Sequence, residues 1–153
     1  MTFYLDHEKP KLLSFSDLLH LETELRKFNY NITRQDLQKI ARKKRSVFLR
    51  EQTTDAARAY AELQVREKMV TIEWLFAPKL GETMVRAIVD HVQVNIPKAE
   101  NIKLIVEVDK SESDVEKMTK ARMNLYFKCG FTIEKVKFVK NVAVYVMVLP
   151  IKK

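Results

Sequence analysis

Apolar and polar residues change their spacing several times along the chain, and each change marks a new element. The opening "TFYL" reads as a short strand. In "SFSDLLHLETELRKF" Leu18, Leu21, Leu25 and Phe28 recur at helical spacing, with Ser16 as the expected N-cap. A second helix follows "NYNI". There Thr33 and Asp36 form a capping-box pattern, and Leu37, Ile40 and Ala41 supply a thin apolar stripe that ends in the basic run Arg42 to Arg45.

Three segments of strand character come next. "SVFLREQ" precedes the polar "TTDA". "ARAYAELQV" alternates Ala59, Ala61, Leu63 and Val65 with Tyr60, Glu62 and Gln64, which predicts a half-buried antiparallel strand. "MVTIEWLFA", closed by Pro78, is more continuously apolar and therefore more central. Short polar connections predict that these three form a meander. The spacing then returns to helical: "KLGETMVRAIVDHVQVNI" places Met84, Val85, Ile88, Val89 and Val92 on one face, ended by Pro97. "IKLIVEV" reads as a buried strand. A strand, a helix and a strand in succession predict a parallel pair joined by a right-handed crossover. Ser113 and Glu116 are expected to cap a last helix, which runs through Val115, Met118, Arg122, Leu125 and Tyr126 to Gly130. "FTIEKVKFV" and "VAVYVMVL" are expected to pair antiparallel across "KN", with the apolar terminal strand available for pairing at an edge.

No repeat, linker or low-complexity segment interrupts residues 1–153, so a single α/β domain is expected. The lone Cys129 excludes an internal disulfide and is expected to be a small buried hydrophobe. "MTFYLDHEKP" lacks the layout of a signal peptide, and "VAVYVMVLP" is too short for a membrane helix, so a soluble, cytoplasmic protein is expected. His7, His20 and His91 are scattered without ligand spacing, and no metal is expected. The net charge of +8 favours an acidic partner: nucleic acid, a phosphorylated cofactor or an acidic protein. The run "KIARKKRSVFLR" reads first as a solvated helix end. Nucleic-acid contact through Arg42, Lys43, Lys44 and Arg45 is the alternative.

The order strand, two helices, three-strand meander, helix, strand, helix, two strands is similar to that of the GNAT acyltransferase superfamily. "ARMNLYFKCGFTIEKV" resembles the family's helix-to-strand segment, in which "LY" is followed by a short spacer and "GF". Of the two glycines, Gly130 falls in that segment and Gly81 falls just after Pro78, where the family places its cofactor loop. The resemblance implies a mixed, mostly antiparallel central sheet flanked by helices, with a parallel strand pair splayed to form a cleft for acetyl-CoA (or CoA). It implies an N-acetyltransferase acting on an amine of a small molecule or protein.

Cofactor contact is then implied along Phe76, Ala77, Lys79, Leu80, Gly81, Glu82, Thr83 and Met84, with the backbone N–H groups from about Leu80 to Met84 facing the pyrophosphate. Asn124 and Tyr126 complete the implied set. Tyr126 is the implied acid for the leaving thiolate, the backbone near Phe76 and Ala77 the oxyanion donor, and Glu73 the base, with Glu107 a weaker candidate. Read without the resemblance, Tyr126 is a ring packed between helix and sheet with its hydroxyl at the surface. "PKLGETM" departs from the family's Q/R-x-x-G-x-G/A loop. It has one glycine, Thr83 where a second small residue is expected, Pro78 in place of the basic or amide residue, and Glu82 at the phosphate seat, offset in part by Lys79 and Arg86. That departure is what supports the alternative, a non-catalytic GNAT-like binding or regulatory protein.

Overall fold

The computed structural model describes residues 2–7, 13–27, 32–42, 46–109 and 113–151. The elements run β1 (Phe3–Asp6), α1 (Phe15–Lys27), α2 (Arg34–Ala41), β2 (Ser46–Glu51), β3 (Ala57–Arg66), β4 (Met69–Phe76), α3 (Gly81–Asn95), β5 (Asn101–Asp109), α4 (Ser113–Lys128), β6 (Thr132–Val139) and β7 (Val142–Pro150). The strands form a seven-stranded sheet in the order β1-β2-β3-β4-β5-β7-β6. Every described ladder is antiparallel except β4 with β5, the expected parallel pair. By their internal contacts the residues group into two units, Met1–Leu63 with Trp74–Ala87 and Gln64–Glu73 with Ile88–Lys153. No helix among the described residues is long and apolar enough to cross a membrane.

In the first unit Leu18, Leu21 and Leu25 of α1 and Leu37 and Ala41 of α2 pack with Phe48, Tyr60 and Phe76. Phe28 and Lys43 to Arg45 lie outside the described residues. The expected alternation of β3 holds in part: Ala57, Ala59, Ala61 and Leu63 are buried and Arg58, Glu62 and Gln64 half-buried, but it breaks at Tyr60. Tyr60 is only 1% exposed, its ring 5.9 Å from Phe48 and 6.0 Å from Phe76, while Ala59 and Ala61 on the other face are buried too. Helices α1 and α2 supply the cover at Tyr60, so that one position of the half-buried face joins the core. The far end of β3 opens at Val65. The buried Tyr60 hydroxyl accepts from Trp74 Nε1 at 2.8 Å, so its polar atom is satisfied.

The cap of α1 is Ser14, not Ser16. Its Oγ accepts the Asp17 N–H at 3.1 Å and its carbonyl the Leu18 N–H at 3.0 Å, which starts the helix at Phe15. A cap there leaves Asp17 in the first turn, facing inward. Its carboxylate takes the Ala57 N–H at 2.9 Å and Arg50 Nη1 at 3.1 Å. Arg50 also reaches Asp6 at 2.8 Å and the Asp55 carbonyl at 2.9 Å. The α2 cap is as expected: the Asp36 N–H donates to Thr33 Oγ1 at 3.2 Å and the Thr33 N–H to Asp36 Oδ2 at 3.1 Å. The Thr33 N–H and, next, the Thr33 hydroxyl hold the Asp36 carboxyl below its usual range.

In the second unit β5 pairs with β7 from Asn101↔Pro150 to Asp109↔Val142, and β7 pairs in turn with β6. The terminal strand is therefore interior, which corrects the edge expected for it. An unbroken apolar run suits a strand with neighbours on both sides. The outer strand is β6, exposed along its length, which carries Lys135 and Lys137 and a register shift between Ile133 and Lys135, features that discourage further pairing. The side chains of Ser113, Val115, Glu116 and Met118 lie outside the described residues, so the predicted cap of α4 does too.

The end of α4 explains the spacing of "YFKCGF". Gly130 has φ +99°, its N–H donates to the Phe127 carbonyl at 3.0 Å, and the Phe131 N–H donates to the Tyr126 carbonyl at 3.1 Å. This is a Schellman closure with glycine in the left-handed position. The hydrophobic contact that usually accompanies it is Phe131 on Tyr126, ring centroids 6.2 Å apart. Cys129 is half-buried rather than buried. A Cβ at Gly130 would stand 3.1 Å from Leu149 Cδ1 on a backbone that side chains rarely adopt. Gly130→Ala is therefore expected to cost about 1–2 kcal/mol in urea unfolding with an unchanged slope. An unaltered midpoint would show that the closure tolerates a side chain.

Candidate active site

In the first unit the end of β4 is pinned before it turns. Phe76 is buried against Tyr60, and Trp74 holds the Tyr60 hydroxyl. The chain then makes a tight turn in which the Leu80 N–H donates to the Ala77 carbonyl at 3.1 Å. Pro78 sets its own φ near about −65° at the second position. Lys79 takes φ +62° at the third, a place where glycine is the easier residue. Leu80 is the last residue before α3, and its carbonyl accepts the Met84 N–H at 2.8 Å.

These bonds sharpen the expected phosphate seat. The N–H groups of Leu80 and Met84 are already spent, so neither offers a donor. Those of Gly81, Glu82 and Thr83 have no acceptor among the described residues. A first helical turn with such donors and the positive end of the helix dipole is suited to a phosphate. Gly81 does not have a positive φ, so what it contributes is close approach rather than backbone freedom. Glu82 is turned to Arg86, 3.3 Å away one turn on, so Arg86 offsets the carboxylate that departs from the family loop. Lys79 is exposed; the Glu24 carboxyl is held below its usual range by Lys27 at 3.0 Å, with Lys79 adding a smaller attraction.

In the second unit β4 pairs with β5 only from Met69↔Asn101 to Ile72↔Leu104, although β5 continues beside β7 to Asp109. Glu73 is the first residue past the last paired one. It is exposed and takes a hydrogen bond from the Gln64 side-chain amide. Glu107 is exposed as well. Tyr126 is 5% exposed, and no hydrogen bond to its hydroxyl forms among the described residues. Burial pushes its phenol above the ordinary value, against a smaller opposing pull from Arg122. A phenol in that setting is fully protonated at neutral pH. Asn124 does not join it: two residues along a helix is roughly 200° of rotation, and Asn124 is exposed where Tyr126 is buried.

No protein-family model and no curated protein matches the chain. Solved structures do match along most of its length. The chain is similar to the ribosomal-protein-S18-alanine N-acetyltransferase of Escherichia coli, at 16% identity and a TM-score of 0.63, covering 99% of this chain and 96% of that one. It is similar to a GNAT-family acetyltransferase of Bacillus anthracis, at 12% identity and a TM-score of 0.67, over 92% and 93% of the two chains. The fold is that of the GNAT acetyltransferases. A further match to that fold is an aminoglycoside 6'-N-acetyltransferase complexed with coenzyme A, at 12% identity and a TM-score of 0.61, over 89% of each chain.

Within the GNAT fold some residues that matter here escape a reading by family pattern. The buried Arg50 and Asp17 and the half-buried Asp6 form an ionic cluster, and the only sign of it in sequence is an arginine in the otherwise apolar "SVFLR". Phe131 was visible as part of "GF", but its contact with Tyr126 depends on how the helix closes.

Proposed function

We propose that the protein is an acetyl-CoA-dependent N-acetyltransferase acting on an amine acceptor. The observation that carries this reading is the open first turn of α3, reached directly from a β4 that has left its parallel partner, in a chain with the GNAT fold. The donor set fits the cofactor: the N–H groups of Gly81, Glu82 and Thr83 would hold the pyrophosphate, with the Lys79 ammonium adding charge. Acetyl-CoA, when bound, supplies the acyl group as a thioester. The backbone N–H groups near Phe76 and Ala77 would polarise the carbonyl. Tyr126 would give its phenolic proton to the departing thiolate, and Glu73 would take the proton released by the amine. A solved GNAT-fold neighbour complexed with coenzyme A supports the choice of cofactor.

The test is thermal. At a hundredfold excess over its dissociation constant acetyl-CoA should stabilise the folded chain by about 2.7 kcal/mol, a rise of roughly 5–10 °C for a domain of this size. Gly81→Val, which places a branched side chain at the phosphate seat, should abolish most of that rise without lowering the melting temperature of the free protein. If neither acetyl-CoA nor CoA moves the melting temperature at millimolar concentration, the proposal is wrong.

A further inference from the structure

A concave surface of the first unit has none of the residues given catalytic roles in its lining. The groove between α1 and α2 has a volume of about 770 Å³. Its walls carry Arg26, Arg34, Lys39 and Arg42 against one acid, Glu22. Glu22 is buried and already bridged by Arg26 at 3.8 Å and Arg34 at 3.5 Å, so the groove keeps a positive excess. Its apolar side is Phe15, 66% exposed, with the Arg34 guanidinium 5.3 Å from the ring centre.

Gln38 adds a third feature. Its Nε2 donates to the Leu13 carbonyl at 3.2 Å, which fixes the orientation of the amide. Its Oε1 is buried with no partner, the one such side-chain atom among the described residues. An unpaired buried acceptor is uncommon and calls for a donor.

Together the three features ask for anionic groups, an apolar side chain and an N–H donor along one short stretch. An acidic peptide carries all of them, because its backbone N–H groups recur between the acidic side chains. In a nucleic acid the N–H donors sit on base edges, a nucleotide's width from the phosphates. We propose that the α1–α2 groove docks an acidic peptide segment of a partner protein, its carboxylates on the basic walls and one apolar side chain on Phe15. The chain's net charge of +8 suits such a partner and would speed its approach.

The probe is a fluorescein-labelled nine-residue peptide of glutamates with two leucines, followed by anisotropy, with an all-glutamate peptide and a single-stranded 12-mer DNA beside it. Saturable binding of the leucine-bearing peptide is expected. Lys39→Glu combined with Arg42→Glu should weaken it at least about tenfold. Lys135→Glu combined with Lys137→Glu, the same change of charge on β6, should leave it within about twofold. Phe15→Ser should weaken the leucine-bearing peptide by roughly fivefold and leave the all-glutamate peptide unchanged. Phe15 is exposed, so this variant does not depend on folding. Absent or unsaturable binding overturns the proposal, as does equal weakening by the β6 variant. Tighter binding of the DNA with the same sensitivity to Lys39→Glu and Arg42→Glu also overturns it, and would make the groove a nucleic-acid site.

Discussion

Tyr126→Phe is expected to slow acetyl transfer about a hundredfold while leaving the affinity for acetyl-CoA within about twofold. The substitution removes one proton donor and nothing else. The ring stays three residues inside the helix end, where it packs on Phe131 and supports the closure around Gly130. Tyr126→Ala would mix two effects, because it empties a buried site and strips that contact at about 3–5 kcal/mol. Phenylalanine separates chemistry from folding.

The pH dependence has a definite sign. Burial raises the phenol above its ordinary value, so it keeps its proton through the range in which an exposed tyrosine loses it. Turnover should hold across that range and fall only at higher pH, once the buried phenol ionises. Stability follows the same direction. A folded pKa above the unfolded one gives a contribution fully present below the unfolded value and lost as pH rises through the folded value. The measurement is kcat against pH for wild type and Tyr126→Phe. Equal turnover in the two proteins would remove Tyr126 from its role.

Arg50→Met is expected to lower stability by about 3–5 kcal/mol in urea unfolding. Arg50 is 8% exposed and stands between Asp6 and Asp17, and its loss would remove the cation that bridges the two carboxylates. Asp17 would keep the Ala57 N–H. Adding Asp6→Asn and Asp17→Asn to Arg50→Met should recover part of the loss, since the unpaired charges are then gone. A loss below about 1 kcal/mol for Arg50→Met would mean that water screens the cluster as it screens a surface pair.

How much of this was legible depends on the range of the interactions involved. The capping box of α2 is a matter of residues three apart, and Thr33 with Asp36 reads correctly. The cap of α1 was misplaced at Ser16 because two serines stand side by side with Phe15, and only the direction of Asp17 decides between them. That direction is set by Ala57 and Arg50, 40 and 33 residues away. The loop and helix start around Gly81 were legible as a region, but which N–H groups remain open depends on the turn at Pro78 and Lys79. Asn124 and Tyr126 are both implied by the family resemblance, and helical rotation places one exposed and the other buried.

The sequence by itself determined the order of the described elements and the helix stop at Gly130, because apolar spacing, caps and turns act over a few neighbouring residues. Only the tertiary structure decided that β7 lies between β5 and β6, that Tyr60 of β3 is buried, and that Arg50 finds Asp6 across 44 residues. Those outcomes depend on which surfaces meet. A strand's own pattern reports how apolar its two faces are, and the neighbour that covers each face is set by segments far away in the chain.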